Sequence, residues 1–171
     1  DHADIRRSGG GIETETVIIA APEDDAEIRR VSLINRSGRP REIEVTSYIE
    51  LALAPHNSDS QHPAFSKLFV QAEMEPRSGA LIARRRTDNP AAAQIWAGHL
   101  ICMADAPPAE MQFETDRKRF IGRGRATANP AGAGEMLSNT QGSTLDPIFS
   151  LRRRIEIEPG GRADFSMILC A

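Results

Sequence analysis

The chain has 171 residues and a mass of 18.7 kDa, the size of one domain with its own core. With 21 basic and 24 acidic residues its net charge is −3, which argues against a nucleic-acid-binding domain. The two cysteines, Cys102 and Cys170, are too few for a disulfide framework, and no apolar run approaches the ~18 residues of a membrane span. Because the sequence begins at Asp1, we expect residues 1–171 to be a single domain of a longer protein.

Alternation of apolar and polar side chains dominates the chain and predicts β-strands. The first strand is predicted at 11–20 and the second at 27–35. In the third, residues 41–54, the alternation places Ile43, Val45, Ser47, Ile49, Leu51 and Leu53 on one face. The remaining strands are predicted at 67–75, 80–86, 94–103, 109–114, 149–158 and 163–170.

Short connections rich in Pro, Gly, Asn and Asp separate these strands, at 22–25, 35–40, 76–79 and 159–161. We interpret each as a hairpin, which predicts antiparallel pairing. Helix is predicted at 115–121 alone, capped by Thr115 or Asp116. The polar stretches 55–66 and 122–146 are predicted to be long loops. The fold class is therefore all-β, with two stacked antiparallel sheets.

Two groups of residues are candidates for metal and phosphate binding. His56, Asp59 and His62 share one polar stretch, but a zinc site needs a fuller ligand set, so no metal is expected. Gly122 and Gly124 lack the third glycine and the strand–loop–helix context of a phosphate loop. No cofactor is expected.

Pairs of acidic residues are candidates for catalysis, since sugar hydrolysis uses two carboxyl groups. We interpret Glu114 as a solvent-facing strand residue, Asp116 as a helix cap and Asp146 as a turn residue before Pro147. None is bracketed by apolar residues that would raise its pKa, so catalysis within this chain is not expected.

The arginine triplets 84–86 and 152–154 lie in predicted strands, where only two of three side chains share a face. We expect them to pair with glutamates and a neighbouring domain rather than with nucleic acid. Trp96 and both cysteines are expected in the core, and His99 is expected to be a buried, hydrogen-bonded histidine.

Longer strings identify a family. GGGIETETVIIAAPEDDAEIRRVSLINRSGRPREIEVTSYIELALAP, HPAFSKLFVQAE, FETDRKRFIGRGR and LDPIFSLRRRIEIEPG occur in this order over nearly the whole chain. Together they resemble the cyclic β-1,2-glucan synthases and, more broadly, the amino-terminal sandwich domain of the cellobiose and chitobiose phosphorylases (the former glycosyltransferase 36 family). The resemblance implies an antiparallel β-supersandwich of the galactose-mutarotase type.

The resemblance also implies a function. In this family a helical barrel follows the sandwich and carries the catalytic acid, so this chain is expected to be a non-catalytic domain that supports the barrel and borders its carbohydrate cleft. The implied partners are that barrel, β-glucan and a second copy of the chain, on the cytoplasmic side of a bacterial inner membrane without direct insertion. Two alternatives stay open: a free-standing carbohydrate-binding module, and a mutarotase-like enzyme pairing His99 with Glu114.

The surface expected to face the cleft combines segments 56–65 and 116–125. Long polar loops on a rigid sandwich are commonly kept where they contact something. Arginines beside flexible glycines suit hydrogen bonding to a neighbouring domain or to sugar hydroxyls. The predicted interface residues are His62, Phe65, Asp116, Arg117, Arg119, Phe120, Arg123 and Arg125.

Overall fold

Two stacked antiparallel sheets make up the protein, as seen in a computed structural model that describes residues 2–87, 93–103 and 111–171. Of the described residues, 52% lie in strands and 12% in helices, which confirms the predicted all-β class. The strands are β1 (His2–Gly9), β2 (Ile12–Ala20), β3 (Ala26–Asn35), β4 (Arg41–Thr46), β5 (Ile49–Glu50), β6 (Val70–Glu75), β7 (Ala80–Arg85), β8 (Trp96–Met103), β9 (Gln112–Asp116), β10 (Gly142–Ser143), β11 (Pro147–Ile157) and β12 (Arg162–Cys170). The α-helices are α1 (His56–Gln61), α2 (Pro63–Lys67) and α3 (Arg117–Ile121), and Ala131–Ala133 forms a 3-10 turn.

The large sheet has eight strands in the order β1-β2-β3-β12-β8-β7-β6-β10. In the small sheet β11 is central, pairing with β4 and β5 and also with β9. One apolar core fills the space between the sheets, built from alternate residues of the strands that face it. Leu81, Ala97 and Phe165 contribute from the large sheet, and Phe149 and Leu151 from the small one.

The predicted long strand at 41–54 is one strand in register but interrupted in its middle. β4 pairs Thr46 with Arg152, and β5 pairs Ile49 with Phe149, so both keep the same alignment against β11. The ladder also continues beyond β5, because the Leu51 amide donates to Pro147 O at 3.2 Å. The alternation therefore predicted the core-facing side chains.

Two of the four predicted hairpins are wrong. The turns at 22–25 and 76–79 do join paired strands, but those at 35–40 and 159–161 carry the chain from one sheet to the other. Buried Asn35 connects these two crossings. Its side-chain amide donates to Arg39 O at 2.8 Å and to Ile157 O at 2.9 Å, and its backbone pairs with Gly160 and Gly161. A short connection alone does not distinguish a hairpin from a sheet crossing.

The segment 55–66 is not a loop, since it forms α1 and most of α2. These helices bury only Ser66, so they have no apolar stripe from which a helix could be predicted. Pro63 begins α2, where the missing amide proton costs nothing.

Strand β1 is the one described strand of more than two residues that the alternation did not predict. It is charged and exposed along its whole length. It pairs with β2 across Gly10 and Gly11, whose φ values of 58° and 80° suit a two-residue hairpin turn that favours glycine.

Candidate functional site

The outer face of the small sheet is covered by α3 and by part of the segment that follows it, 122–146. A second apolar cluster forms here from Phe120, Ile121, Leu137 and Ile148, with Tyr48 against it. The rings of Tyr48 and Phe120 stack with centroids 5.0 Å apart. A Cβ on Gly132 would lie 2.6 Å from the Phe120 ring, so this position has room for glycine alone. Phe120, a predicted interface residue, is therefore a core residue of this covering layer.

Arg152, on the outer face of the small sheet, holds the 122–146 segment in place. Its guanidinium is buried, and its Nη1 donates to Glu135 O at 2.8 Å. Nη2 donates to Gly132 O, and Nε donates to Thr46 Oγ1 at 2.9 Å. Glu44 lies 3.8 Å from the same guanidinium. The predicted pairing of Arg152 with glutamate is confirmed, and two of its donors also bind the backbone of the covering segment.

Glu114 does the same from β9, and its prediction as a solvent-facing residue is wrong. The side chain is 1% exposed. One carboxylate oxygen accepts from the Thr115 and Asp116 amides, both at 3.0 Å, and the other accepts from the Ser138 amide and hydroxyl. With both oxygens occupied by donors of its own chain, Glu114 has a structural role in this geometry.

Helix α3 forms within the predicted segment 115–121, and Asp116 rather than Thr115 caps it. The Asp116 carboxylate accepts from the Lys118 amide at 2.8 Å, so Asp116 is the N-cap. Gly122 ends the helix with φ at 82°, and its amide donates to Lys118 O.

A polar network joins this helix to the end of α2. Arg117 Nε donates to the Tyr48 hydroxyl at 3.0 Å and to Glu50 Oε1 at 2.9 Å, and the Tyr48 hydroxyl itself donates to Glu50 Oε1 at 2.6 Å. Asp146 lies between the two predicted segments, with Lys67 Nζ at 2.7 Å and the Arg117 guanidinium at 3.7 Å. The structure thus brings the C-terminal end of α2 and the start of α3 together at Asp146.

The network fixes the protonation of its members. Burial and the hydrogen bond to Glu50 raise the pKa of Tyr48 to about 12. The hydrogen bonds from Tyr48 and Arg117 hold the pKa of Glu50 below its usual value, and the hydrogen bonds to Glu50 and Tyr48 raise the pKa of Arg117. At neutral pH the tyrosine is therefore a hydroxyl donor and the glutamate is an anion.

The other predicted interface residues lie around this network on exposed surface. Arg119 is 3.9 Å from Asp116, and Arg125 is 3.5 Å from Glu135. His62, Phe65 and Arg123 are exposed, and Phe65 contacts Phe69 edge to face at a centroid distance of 5.2 Å.

Beside the network lies a concavity of about 360 Å³. Its lining combines apolar and polar groups, from Glu44, Tyr48, Phe120, Thr127 and Pro130. Such a mixture of ring surface and hydroxyl or carboxylate groups can hold a small polar organic ligand.

Two further arrangements are candidates for metal binding and for catalysis. Within residues 2–87, 93–103 and 111–171 no group of three or more His, Cys, Asp and Glu side chains could hold a metal ion, so His56, Asp59 and His62 form no such cluster. The alternative pairing of His99 with Glu114 is not formed, because His99 lies on the core side of the large sheet and Glu114 on the outer side of the small sheet.

His99 is a buried, hydrogen-bonded histidine, as predicted. Burial lowers its pKa, so the ring is neutral. Its Nδ1–H donates to Ile168 O at 2.8 Å, and the Ser47 hydroxyl donates to Nε2 at 2.8 Å. Both ring nitrogens are therefore satisfied within the core.

Three core predictions are wrong. Cys102 and Cys170 are exposed, and Trp96 is 43% exposed. Cys102 and Trp96 lie at outward positions of β8, where the alternation places Ala97, His99 and Ile101 in the core instead. Apolar character within the run 95–103 did not reveal which side of the strand faced water.

Sequence reasoning also missed the partners of Arg117. Tyr48 and Glu50 lie within the predicted strand 41–54 and Lys67 begins the predicted strand 67–75, but the sequence predicts no role for them. They could be identified only from the proximity of segments 115–121 and 41–54 in the fold, and the spacing of residues in the sequence does not show this proximity.

Comparison with known proteins supports one family throughout. The family described as "Glycosyl hydrolase 94, supersandwich domain" matches residues 1–171. The chain is 41% identical over 162 residues to the cyclic beta-(1,2)-glucan synthase NdvB of Rhizobium meliloti, covering 94% of this chain and 6% of the synthase. It is 27% identical over 163 residues to N,N'-diacetylchitobiose phosphorylase of Vibrio furnissii, covering 94% of this chain and 19% of that enzyme. The chain thus spans a small part of either relative.

A solved polysaccharide lyase aligns with 98% of this chain and 21% of its own, with a TM-score of 0.49 and 13% identity. A likeness of this size adds nothing to the assignment. None of the helices in the described part of the chain is long and apolar enough to cross a membrane.

Proposed function

The chain belongs to the glycosyl hydrolase 94 supersandwich domain family, and we propose that it is the non-catalytic sandwich domain of a cyclic β-1,2-glucan synthase or a related phosphorylase-like enzyme. The observation that carries this proposal is the 41% identity to a cyclic beta-(1,2)-glucan synthase over 94% of the chain. In this role the domain supports a helical-barrel catalytic domain and borders its carbohydrate cleft. A homodimer contact and a position on the cytoplasmic side of the inner membrane belong to the same proposal.

The outer side of the small sheet is the part of the molecule that suits the cleft. The network around Arg117 and Asp146 gives α2 and α3 a common anchor, while Arg119, Arg123 and Arg125 extend from it as exposed donors. Guanidinium groups are good donors to sugar hydroxyls and to carboxylates of a neighbouring domain. The adjacent concavity adds the ring surface of Tyr48 and Phe120.

Glu114 supports the non-catalytic part of this proposal. It is the most buried carboxylate of the described residues, and its oxygens accept four hydrogen bonds from backbone amides and a serine. A general acid or base must reach its substrate, whereas this carboxylate is enclosed by its own chain.

The test is made in the full-length enzyme with the double variant Arg123→Ala and Arg125→Ala. Both side chains are exposed, so the sandwich should still fold, and we expect altered glucan chain length or reduced cyclic product. The matched control is Arg6→Ala with Arg7→Ala, which removes the same charge from the exposed strand β1. Unchanged products and kinetics in the 123/125 variant would remove this surface from the cleft.

A further inference from the structure

The outer face of the large sheet carries the only tryptophan of the chain, and it is exposed. Trp96 begins β8, and 43% of its surface is accessible, although indole is among the most costly side chains to leave in water. It lies on the opposite side of the sandwich from the network around Arg117, because Ala97 and His99, its neighbours in alternation, point into the core between the sheets.

A row of side chains crosses the sheet beside this ring. Strand register places Ser143, Gln71, Arg84 and Trp96 opposite one another on β10, β6, β7 and β8. Gln71 Nε2 donates to Ser143 Oγ at 3.2 Å, and Arg84 Nη2 donates to Gln71 Oε1 at 3.4 Å. The Arg84 guanidinium lies 5.9 Å from the centre of the indole ring, within reach of a cation–π contact. The tryptophan is thus flanked by an ordered polar row.

The row forms one side of a concavity of about 340 Å³, at the small end of the ~300–1,000 Å³ typical of ligand pockets. Its lining includes Gln71, Glu73, Ile82, Arg84 and Trp96. This set provides an aromatic face, an aliphatic side chain, donors from Arg84 and Gln71, and acceptors from Gln71 and Glu73.

From this geometry we infer that the Trp96 concavity binds a pyranose ring of a neutral glucan chain. A pyranose presents C–H groups on its faces, which pack against an aromatic ring, and hydroxyls on its rim, which both donate and accept hydrogen bonds. The carboxylates of Glu73 and Glu75 at the same concavity disfavour a phosphate or another anion. The identity of the glucan as β-1,2-linked rests on the proposed function, whereas the site itself rests on the residues described above.

Because Trp96 is the single tryptophan, its fluorescence reports on this site alone. We expect a linear β-1,2-glucan oligosaccharide to shift the emission of the 171-residue chain saturably, with calorimetry giving the same affinity. Trp96→Ala should weaken binding at least about tenfold, since the stacking surface is lost. Ile5→Ala is the matched control, because it truncates an apolar side chain of similar exposure on β1.

A second variant keeps the reporter. Gln71→Ala leaves Trp96 in place and removes a donor and an acceptor, so affinity should fall several-fold while the emission of the free chain is retained. No saturable change with the oligosaccharide, or equal affinity in Trp96→Ala and the parent chain, would overturn the inference. So would Trp96 emission that depends on protein concentration without sugar, which would indicate a second copy over this face. These measurements need no enzyme activity, so they are independent of the Arg123 and Arg125 test.

Discussion

The two outer faces of the sandwich differ in how two of their charged side chains are used. On the outer face of the small sheet, α3 and part of the 122–146 segment cover Arg152 and Glu114, and these buried side chains bind that cover. On the outer face of the large sheet, Trp96 and Arg84 are exposed. A charged side chain on a strand therefore has a structural role where a segment covers it, as in Arg152, and stays accessible where it is exposed, as in Arg84.

The largest test of this comparison removes the buried guanidinium of the covered face. Arg152→Ala leaves the carbonyls of Gly132 and Glu135 without their donor, and we expect the free energy of unfolding to fall by ~3–5 kcal/mol. Urea unfolding of the parent chain and of the Arg152→Ala variant measures this difference. Arg154→Ala is the control, since Arg154 lies on the same face of β11 but is 58% exposed, and its loss should cost ~0–1 kcal/mol. Similar losses in both variants would show that Arg152 does not hold the cover.

An intermediate effect on the free energy of unfolding is expected from His99, which lies in the core between the two sheets. Because burial lowers the pKa of His99 in the folded chain, the unfolded chain takes up the proton first as pH falls. The stabilisation is complete above the unfolded pKa of ~6.5 and is lost at up to ~1.4 kcal/mol per pH unit below it, until the folded chain also protonates.

The measurement is urea unfolding between neutral and mildly acidic pH. His99→Gln should flatten the dependence, because glutamine does not titrate, whereas His2→Gln, on exposed β1, should leave it as it is. An unchanged slope in His99→Gln would contradict the assignment of a neutral buried ring.

The smallest effect on stability is expected on the outer face of the large sheet. Trp96→Ala should change the free energy of unfolding by less than ~1 kcal/mol, because much of the ring already contacts water in the folded chain. Thermal and urea unfolding of this variant give the comparison with Arg152→Ala. A loss as large as that of Arg152→Ala would mean that Trp96 is a packing residue and that the two faces do not differ in the way described.

Much of the fold could be predicted because one face of most strands is buried. Alternation in 41–54 predicted the core-facing residues, and the structure keeps them in one register against β11, since the register of a half-buried strand is fixed by its apolar side. The cap at Asp116 was predictable for a second reason, because it depends on residues next to it in sequence.

What could not be predicted depended on long-range placement. The sequence does not show that 35–40 and 159–161 cross between sheets, because this follows from the meeting of both turns at Asn35. The burial of Glu114 results from a segment more than 20 residues away, through Ser138. The site around Arg117 likewise needs Tyr48, Lys67 and Asp146 from three distant parts of the chain.

Strand β1 has a consequence for solubility. It is the outermost strand of the large sheet, and an open strand edge with free amide and carbonyl groups can recruit further strands into aggregates. Asp4, Arg6 and Arg7 place charges along this edge, and the opposite edge, β10, is only two residues long. Charged and short edges are the means by which natural sheets resist edge-to-edge polymerisation, so this wide sheet is protected at both of its ends.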